Sequence, residues 1–90
     1  MRRAHLVISG DVQGVGFRSW ALGQARDLHL RGWVKNREDG AVEIVAEGDQ
    51  ATVEEFAKRC RHGPDVAWVE HIDTTWAEGT GEFVGFEVVY

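Results

Sequence analysis

The sequence has little cysteine and no long apolar run, and each scarcity excludes a class of protein. Its single cysteine, Cys60, can form neither an internal disulfide nor a cysteine-built metal site. The four histidines are His5, His29, His62 and His71. Their spacing in the sequence does not match that of metal ligands. No apolar stretch approaches membrane-spanning length, and the N-terminus offers no signal peptide. We therefore expect a cytoplasmic protein without a membrane partner.

Positive charge is also scarce. The 90-residue chain has ten Lys and Arg residues and 15 Asp and Glu residues, which gives it a formal charge of −5. This balance argues against a nucleic-acid partner. The length suits one domain over residues 1–90 and excludes dinucleotide-binding and barrel folds. A lone cysteine gives no reason to expect a covalent dimer, so we expect a monomer.

The apolar patterning alternates between strand and helix periods. Strands are predicted at 5–9, 32–36, 41–46, 66–76 and 83–90. Helices are predicted from Phe17 to about 28–31, and from Asp49 to the Gly63-Pro64 pair. The order β-α-β-β-α-β with a terminal strand indicates an α+β fold of the ferredoxin-like plan. This is a two-layer sandwich with two helices on one face of a mostly antiparallel sheet.

Both helices show one apolar face. The first comprises Phe17, Trp20, Ala21, Ala25 and Leu28, and the second Val53, Phe56, Ala57 and Cys60. Asp49 is predicted to cap the second helix through its carboxylate. Trp68 and Trp76 share strand parity, which predicts that they face the same side of the sheet.

The predicted topology brings two distant segments together. In this fold the third strand lies between the first and second, which are parallel to each other. Parallel strands end at the same edge of a sheet. The glycine-containing loop after the first strand and Asn36, at the end of the second, should therefore converge. By strand alternation, Lys35 should point to the opposite face from Asn36.

The segment from Val12 to Arg18 (VQGVGFR) combines features of an anion site. Its glycines permit close approach of a ligand to the backbone, and it leads into a helix N-terminus, where unpaired amides favour negative charge. Arg18 stands at the unfavourable end of the helix for a cation, a cost that a bound anion would reverse. Neither the Walker A nor the complete dinucleotide pattern is present. From these residues alone, a phosphate site and an ordinary strand-to-helix turn are about equally supported.

Two longer motifs resemble a known family. SGDVQGVGFR, from Ser9 to Arg18, resembles the first signature of the acylphosphatases. GWVKN, from Gly32 to Asn36, resembles the second, with Gly40, Val42 and Gly48 at the following positions. The resemblance implies a ferredoxin-like fold and hydrolysis of small acyl phosphates to carboxylate and inorganic phosphate, without metal or cofactor.

The resemblance also implies roles for individual residues. The phosphoryl group would be bound by backbone amides of the loop, namely those of Gln13, Gly14, Val15, Gly16, Phe17 and Arg18. The Arg18 guanidinium would clamp it, and Asn36 would position the attacking water. For Gln13 we expect the backbone amide to matter more than the side chain. Neither motif offers a positioned base, so we hypothesise that the substrate phosphate takes the water proton.

Two other functions stay open at this point. RNA-recognition modules share the topology, but they carry aromatic side chains on the third strand, and Ala41 to Ala46 has none. A phosphate-binding module without turnover would use the same loop. Asn36 could then be a turn residue, although its place in the second motif favours catalysis. The remaining candidate nucleophile, Ser19, lacks a nucleophile elbow or a paired histidine.

Overall fold

The computed structural model describes all 90 residues, in five strands and two helices. The strands are β1 (Arg2–Asp11), β2 (Arg31–Asn36), β3 (Val42–Gly48), β4 (Trp68–Glu78) and β5 (Phe86–Val88). The helices are α1 (Phe17–Asp27) and α2 (Gln50–His62). Their order confirms the prediction, although β1 is longer than expected and β5 is shorter. Neither helix is long and apolar enough to cross a membrane.

The sheet has the strand order β4-β1-β3-β2-β5. β3 pairs antiparallel with both β1 and β2, and β4 pairs antiparallel with the outer edge of β1. As predicted, β3 lies between β1 and β2. The sequence left the docking edge of the last strand open, and the structure places β5 parallel to β2. This short strand therefore runs beside the segment that ends at Asn36.

Both helices pack on the same face of the sheet. The predicted apolar positions of α2 are all buried, and those of α1 are buried or packed against the core. β5 joins this core through Phe86, which is buried and meets Phe56 edge-on at 6.0 Å between ring centroids. Burial of such a side chain contributes roughly 1.5–3 kcal/mol. The anchored Phe86 fixes the residues that follow it in β5.

The expected cap of α2 by the Asp49 side chain is wrong. Asp49 occupies the N-cap position, but its carboxylate makes no hydrogen bond to a first-turn amide. Its backbone carbonyl accepts from the Val53 amide at 2.9 Å and so begins the helix. The residue is exposed, and the free first-turn amides at this end can be satisfied by solvent.

The expectation that Trp68 and Trp76 face the same side is also wrong. The register of β1 and β4 shifts between Ser9, opposite His71, and Gly10, opposite Val69. The extra β4 residue forms a bulge, which reverses the alternation of the residues before it. Trp76 packs against the core, whereas Trp68 is 69% exposed.

Glu47, at the end of β3, is the one fully buried charged residue, 2% exposed. Its carboxylate accepts hydrogen bonds from the Thr80 amide, the Thr80 hydroxyl and the Gly81 amide, each at 3.0 Å. The guanidinium Nη1 of Arg3 lies 3.6 Å from the Glu47 Oε2. Burial alone would raise the pKa of Glu47, but the hydrogen bonds and Arg3 outweigh it, so the pKa lies below the ordinary 4.5. The carboxylate thus ties β3 to the connection between β4 and β5.

This carboxylate should make the fold sensitive to acid. Because the folded pKa is depressed, the stabilisation is complete above about pH 4.5 and is lost as the pH falls through the folded value. Glu47→Gln should cost about 1–3 kcal/mol at neutral pH, since its amide nitrogen opposes backbone donors. The variant should also lose less stability than wild type between neutral pH and about pH 3.

Urea unfolding at both pH values measures these differences. Glu78→Gln is the matched control, because Glu78 is exposed at the end of β4. Identical acid dependence in wild type and Glu47→Gln would contradict the assignment.

Candidate active site

The loop between β1 and α1 turns through two glycines in the left-handed region. Gly14 has φ +74° and Gly16 has φ +77°, and a Cβ at either position would meet nothing within 4 Å. Glycine is therefore favoured at these two positions by the positive φ angle, and not by a lack of space for a side chain. Gly16 is the N-cap of α1 and has no side chain to satisfy the first-turn amides. The loop and the first turn of α1 thus leave backbone amides without partners in the chain, and such amides can bind an anion.

Arg18 lines a small pocket beside this loop. The pocket has a volume of about 110 Å³ and is lined by Gly14, Gly16, Arg18, Ser19, Val88 and Tyr90. At roughly 30 Å³ for each water, this is room for three or four water molecules. A ligand of this size that is anionic would face the Arg18 guanidinium and the loop amides together.

The Arg18 guanidinium has no acidic partner in a chain with 15 acidic residues. It lies over the ring of Tyr90, at 5.2 Å from the centroid, and the tyrosine is itself 98% exposed. The aromatic face holds the cation without neutralising it. Its charge is therefore available to a ligand in the pocket.

Asn36 is the last residue of β2. β5 runs beside it, because Val34 pairs with Val88 and the Val89 amide donates to the Val34 carbonyl at 2.8 Å. Val88, which lines the pocket with Arg18, thus ends the strand next to β2, and Tyr90, which also lines the pocket, follows it by two residues. The side-chain Oδ1 of Asn36 is buried without a hydrogen-bond partner, an uncommon state for a buried acceptor.

Lys35 lies on the opposite face from Asn36, as strand alternation predicts. Its ammonium is 3.8 Å from Glu43 and 5.5 Å from the ring centroid of Trp33. These contacts belong to the sheet face that the helices leave uncovered. Lys35 is therefore no part of the pocket.

Gln13 joins the loop to the segment that follows Asn36. Its Nε2 donates to the Arg37 carbonyl at 2.8 Å and to the Ala41 carbonyl at 3.0 Å. We expected the backbone amide of this residue to matter more than its side chain, and the sequence reasoning missed the two side-chain hydrogen bonds. The motif contained one usable signal, an amide side chain among glycine and apolar residues. The sequence did not indicate which groups this side chain would contact, because Arg37 and Ala41 lie 24 and 28 residues further along the chain.

Other candidate groups lack the surroundings of a reactive centre. Cys60 is buried, and burial raises the pKa of its thiol to about 12, so the thiol is protonated at neutral pH. Ser19 has no side-chain hydrogen bond to a base. No group of three or more metal-ligating side chains lies together. The chemistry that the pocket residues themselves offer is anion binding and the orientation of a small polar molecule.

Comparison with known proteins agrees with this geometry. The family model "Acylphosphatase" matches residues 4–88. An acylphosphatase of Pelotomaculum thermopropionicum is 48% identical over 98% of this chain and 96% of the relative. An acylphosphatase of Roseiflexus sp. is 47% identical over the whole chain and 97% of the relative.

The fold gives the same result. The crystal structure of acylphosphatase from Bacillus subtilis superposes with a TM-score of 0.96 at 37% identity, and the match covers 100% of both chains. The ferredoxin-like prediction is thus confirmed. By sequence and by fold, the chain belongs to the acylphosphatase family, whose activity is the hydrolysis of acyl phosphates.

Proposed function

We propose that this chain cleaves the carboxyl–phosphate mixed anhydride of small acyl phosphates by direct attack of water on phosphorus. The amides of Gln13 to Arg18 and the Arg18 guanidinium bind the phosphoryl group, and Asn36 orients the water. The observation that carries the proposal is the pocket, which combines free helix-start amides with an arginine that has no acidic partner.

The phosphoryl group is bound mainly through charge. Two positive-φ glycines shape the loop so that its amides face the anion, and Arg18 can donate two parallel hydrogen bonds to phosphate oxygens. The helix dipole disfavours a cation in the first turn of α1, so the free protein bears a local cost. Binding of the phosphoryl group reverses that cost.

Asn36 supplies a polar group for the nucleophile. In the structure its Oδ1 is turned inward and has no partner. A half-turn about the last side-chain bond, which has a broad two-fold profile, exchanges the carbonyl and the amide. The carbonyl oxygen then accepts a hydrogen bond from water, and the adjoining amide remains a donor.

The reaction needs little from acid or base groups. The water oxygen forms a bond to phosphorus, the bond from phosphorus to the acyl oxygen breaks, and its electron pair leaves with the carboxylate. This leaving group is a weak base, so protonation by the enzyme is unnecessary. The water proton goes to a phosphate oxygen. Positioning and charge stabilisation by Arg18 and the loop amides therefore suffice.

Asn36→Ala tests the proposal most economically. We expect kcat for benzoyl phosphate to fall by about 10²-fold, because the water is no longer oriented. Inhibition by inorganic phosphate should stay within about twofold of wild type, because the loop and Arg18 are unchanged. Phosphate release and competitive inhibition measure the two effects.

Lys35→Ala is the matched control for this variant, since the neighbouring side chain lies on the opposite face of β2. Full activity of Asn36→Ala would refute the role of Asn36. If wild type binds phosphate but releases none from benzoyl phosphate, the chain is a phosphate-binding module.

The setting of this activity is part of the proposal. We infer a monomer that acts in the cytoplasm on small acyl phosphates and does not bind nucleic acid. The net charge of −5 and the absence of aromatic side chains from β3 support the part of this inference that concerns nucleic acid. Sedimentation of the purified protein and its binding to mixed RNA at physiological salt test it.

A further inference from the structure

The proposed mechanism requires two groups on different elements to keep a fixed separation. The phosphoryl group is bound by the loop after β1, whereas the water is oriented from the end of β2. These strands are not neighbours, because β3 lies between them. The loop has glycines at positions 14 and 16, whose added Cβ atoms would meet no neighbouring group. The sheet relates Asn36 to Ile8, because both pair with Val42, but this pairing stops short of the loop. A direct contact between the loop and the end of β2 would fix their separation more closely.

Gln13 provides this link. The two hydrogens of its Nε2 are directed to the carbonyl oxygens of Arg37 and Ala41, at 2.8 and 3.0 Å. Arg37 directly follows Asn36, and Ala41 closes the same turn. The side chain is partly buried and reaches both ends of the turn at once. It thereby fixes the start of the phosphate loop relative to Asn36.

The turn does not depend on Gln13 for its own shape. The Arg37 amide donates to the Ala41 carbonyl at 2.8 Å, and the Gly40 amide donates to the Arg37 carbonyl at 3.3 Å. Asp39 accepts from the Ala41 amide at 3.0 Å. Loss of the Gln13 side-chain bonds would leave these contacts in place. The consequence would be a change in the distance between the loop and the turn.

We propose that Gln13 is a positioning residue for the hydrolysis, acting through its side-chain amide to set the distance between the bound phosphoryl group and the water held by Asn36. The inference rests on the proposed function. A misplacement of about 1 Å can cost a reaction about 10²-fold in rate. The binding of phosphate alone does not require this distance, because the loop amides and Arg18 lie on the same segment.

Gln13→Met tests the inference, because it keeps the length of the side chain and removes both donors. We expect kcat for benzoyl phosphate to fall by about tenfold or more, while inhibition by inorganic phosphate changes by less than about threefold. Gln50→Met is the matched control, since the Gln50 amide donates to Glu54 on the exposed surface of α2. We expect this control to retain the kcat of wild type.

Gln13→Glu gives a second readout that loss of stability does not imitate. At neutral pH its carboxylate faces two carbonyl oxygens and repels them. When protonated, it donates one hydrogen bond. The ratio of its kcat to that of wild type should therefore rise as the pH is lowered through the carboxyl pKa. If Gln13→Met does not fold, this profile decides the question.

Three results would overturn the inference. The first is a Gln13→Met variant with the kcat of wild type. The second is a Gln13→Met variant that loses phosphate binding and kcat in parallel. The third is a ratio of the Gln13→Glu kcat to the wild-type kcat that does not change with pH. The parallel loss would assign Gln13 to the loop itself. A fully active Gln13→Met beside an inactive Asn36→Ala would refute this inference and leave the proposed function standing. Full activity in both variants would also refute the role proposed for Asn36, while the hydrolysis itself would stand.

Discussion

Arg18→Ala is expected to lower kcat/KM for an acyl phosphate by about 10³-fold or more, the range found when a phosphoryl-clamping arginine is removed. The guanidinium is the only side-chain cation among the residues that line the pocket, and no carboxylate neutralises it. Charge on the phosphoryl oxygens in the transition state would then face backbone amides alone. Binding of inorganic phosphate should weaken as well, since Arg18 contacts ground state and transition state alike.

Arg18→Lys separates charge from geometry. Lysine restores a cation without the planar fork, so its activity should lie between those of wild type and Arg18→Ala. Arg61→Ala, an exposed arginine on α2, is the matched control and should keep full activity. An Arg18→Ala variant with wild-type kcat/KM would show that phosphate is bound elsewhere.

Gly32→Ala is expected to have the largest effect on folding. Gly32 has φ +140°, and a Cβ there would lie 1.9 Å from the Val45 carbonyl oxygen on β3. The clash is with backbone, so relief requires β2 to move away from β3. We expect a loss of about 3 kcal/mol or more. This compares with a total of roughly 5–13 kcal/mol for a chain of this length.

Urea unfolding with Gly23→Ala as control tests this expectation. Gly23 lies inside α1, and a Cβ there would meet nothing within 4 Å. Alanine should therefore stabilise the helix by about 0.5–1 kcal/mol. Opposite signs at the two glycines would support the close approach of β2 and β3. Equal effects would contradict it.

Much of the fold was predictable because the sequence patterns are local. Alternating residues after the Asp39-Gly40 turn, and the stripe from Val53 to Cys60, predict elements that the structure confirms. Trp68 was misplaced because a bulge in β4 depends on pairing with β1, which no local pattern records. The docking of β5 depends on Phe86 reaching Phe56, a contact between distant segments.

The candidate site was predictable in outline and not in its connections. The glycines and Arg18 supported an anion site and an ordinary turn about equally, and the resemblance of two motifs to the acylphosphatases favoured the anion site. The convergence with Asn36 followed from topology. The Gln13 bonds and the Tyr90 ring under Arg18 were not predictable. Each joins segments whose separation is set only when the sheet is complete.

The acidic composition is compatible with an anionic substrate because charge acts locally. Beyond a Debye length of about 8 Å at physiological salt, the net charge is largely screened. From Val12 to Arg18 there is one cation and no acidic residue. The local field at the pocket is therefore set by Arg18 and the helix-start amides.

Titration of the ¹⁵N-labelled protein with inorganic phosphate tests the central claim most directly. The account predicts saturable shifts of the backbone amides from Gln13 to Arg18, a segment that leads into the first turn of α1 and contributes Gly14, Gly16 and Arg18 to the pocket. The start of α2, from Gln50 to Thr52, is the internal comparison, because it also presents free amides but has no arginine in its first turn. Shifts that are largest at α2, or that spread without saturation, would contradict the account.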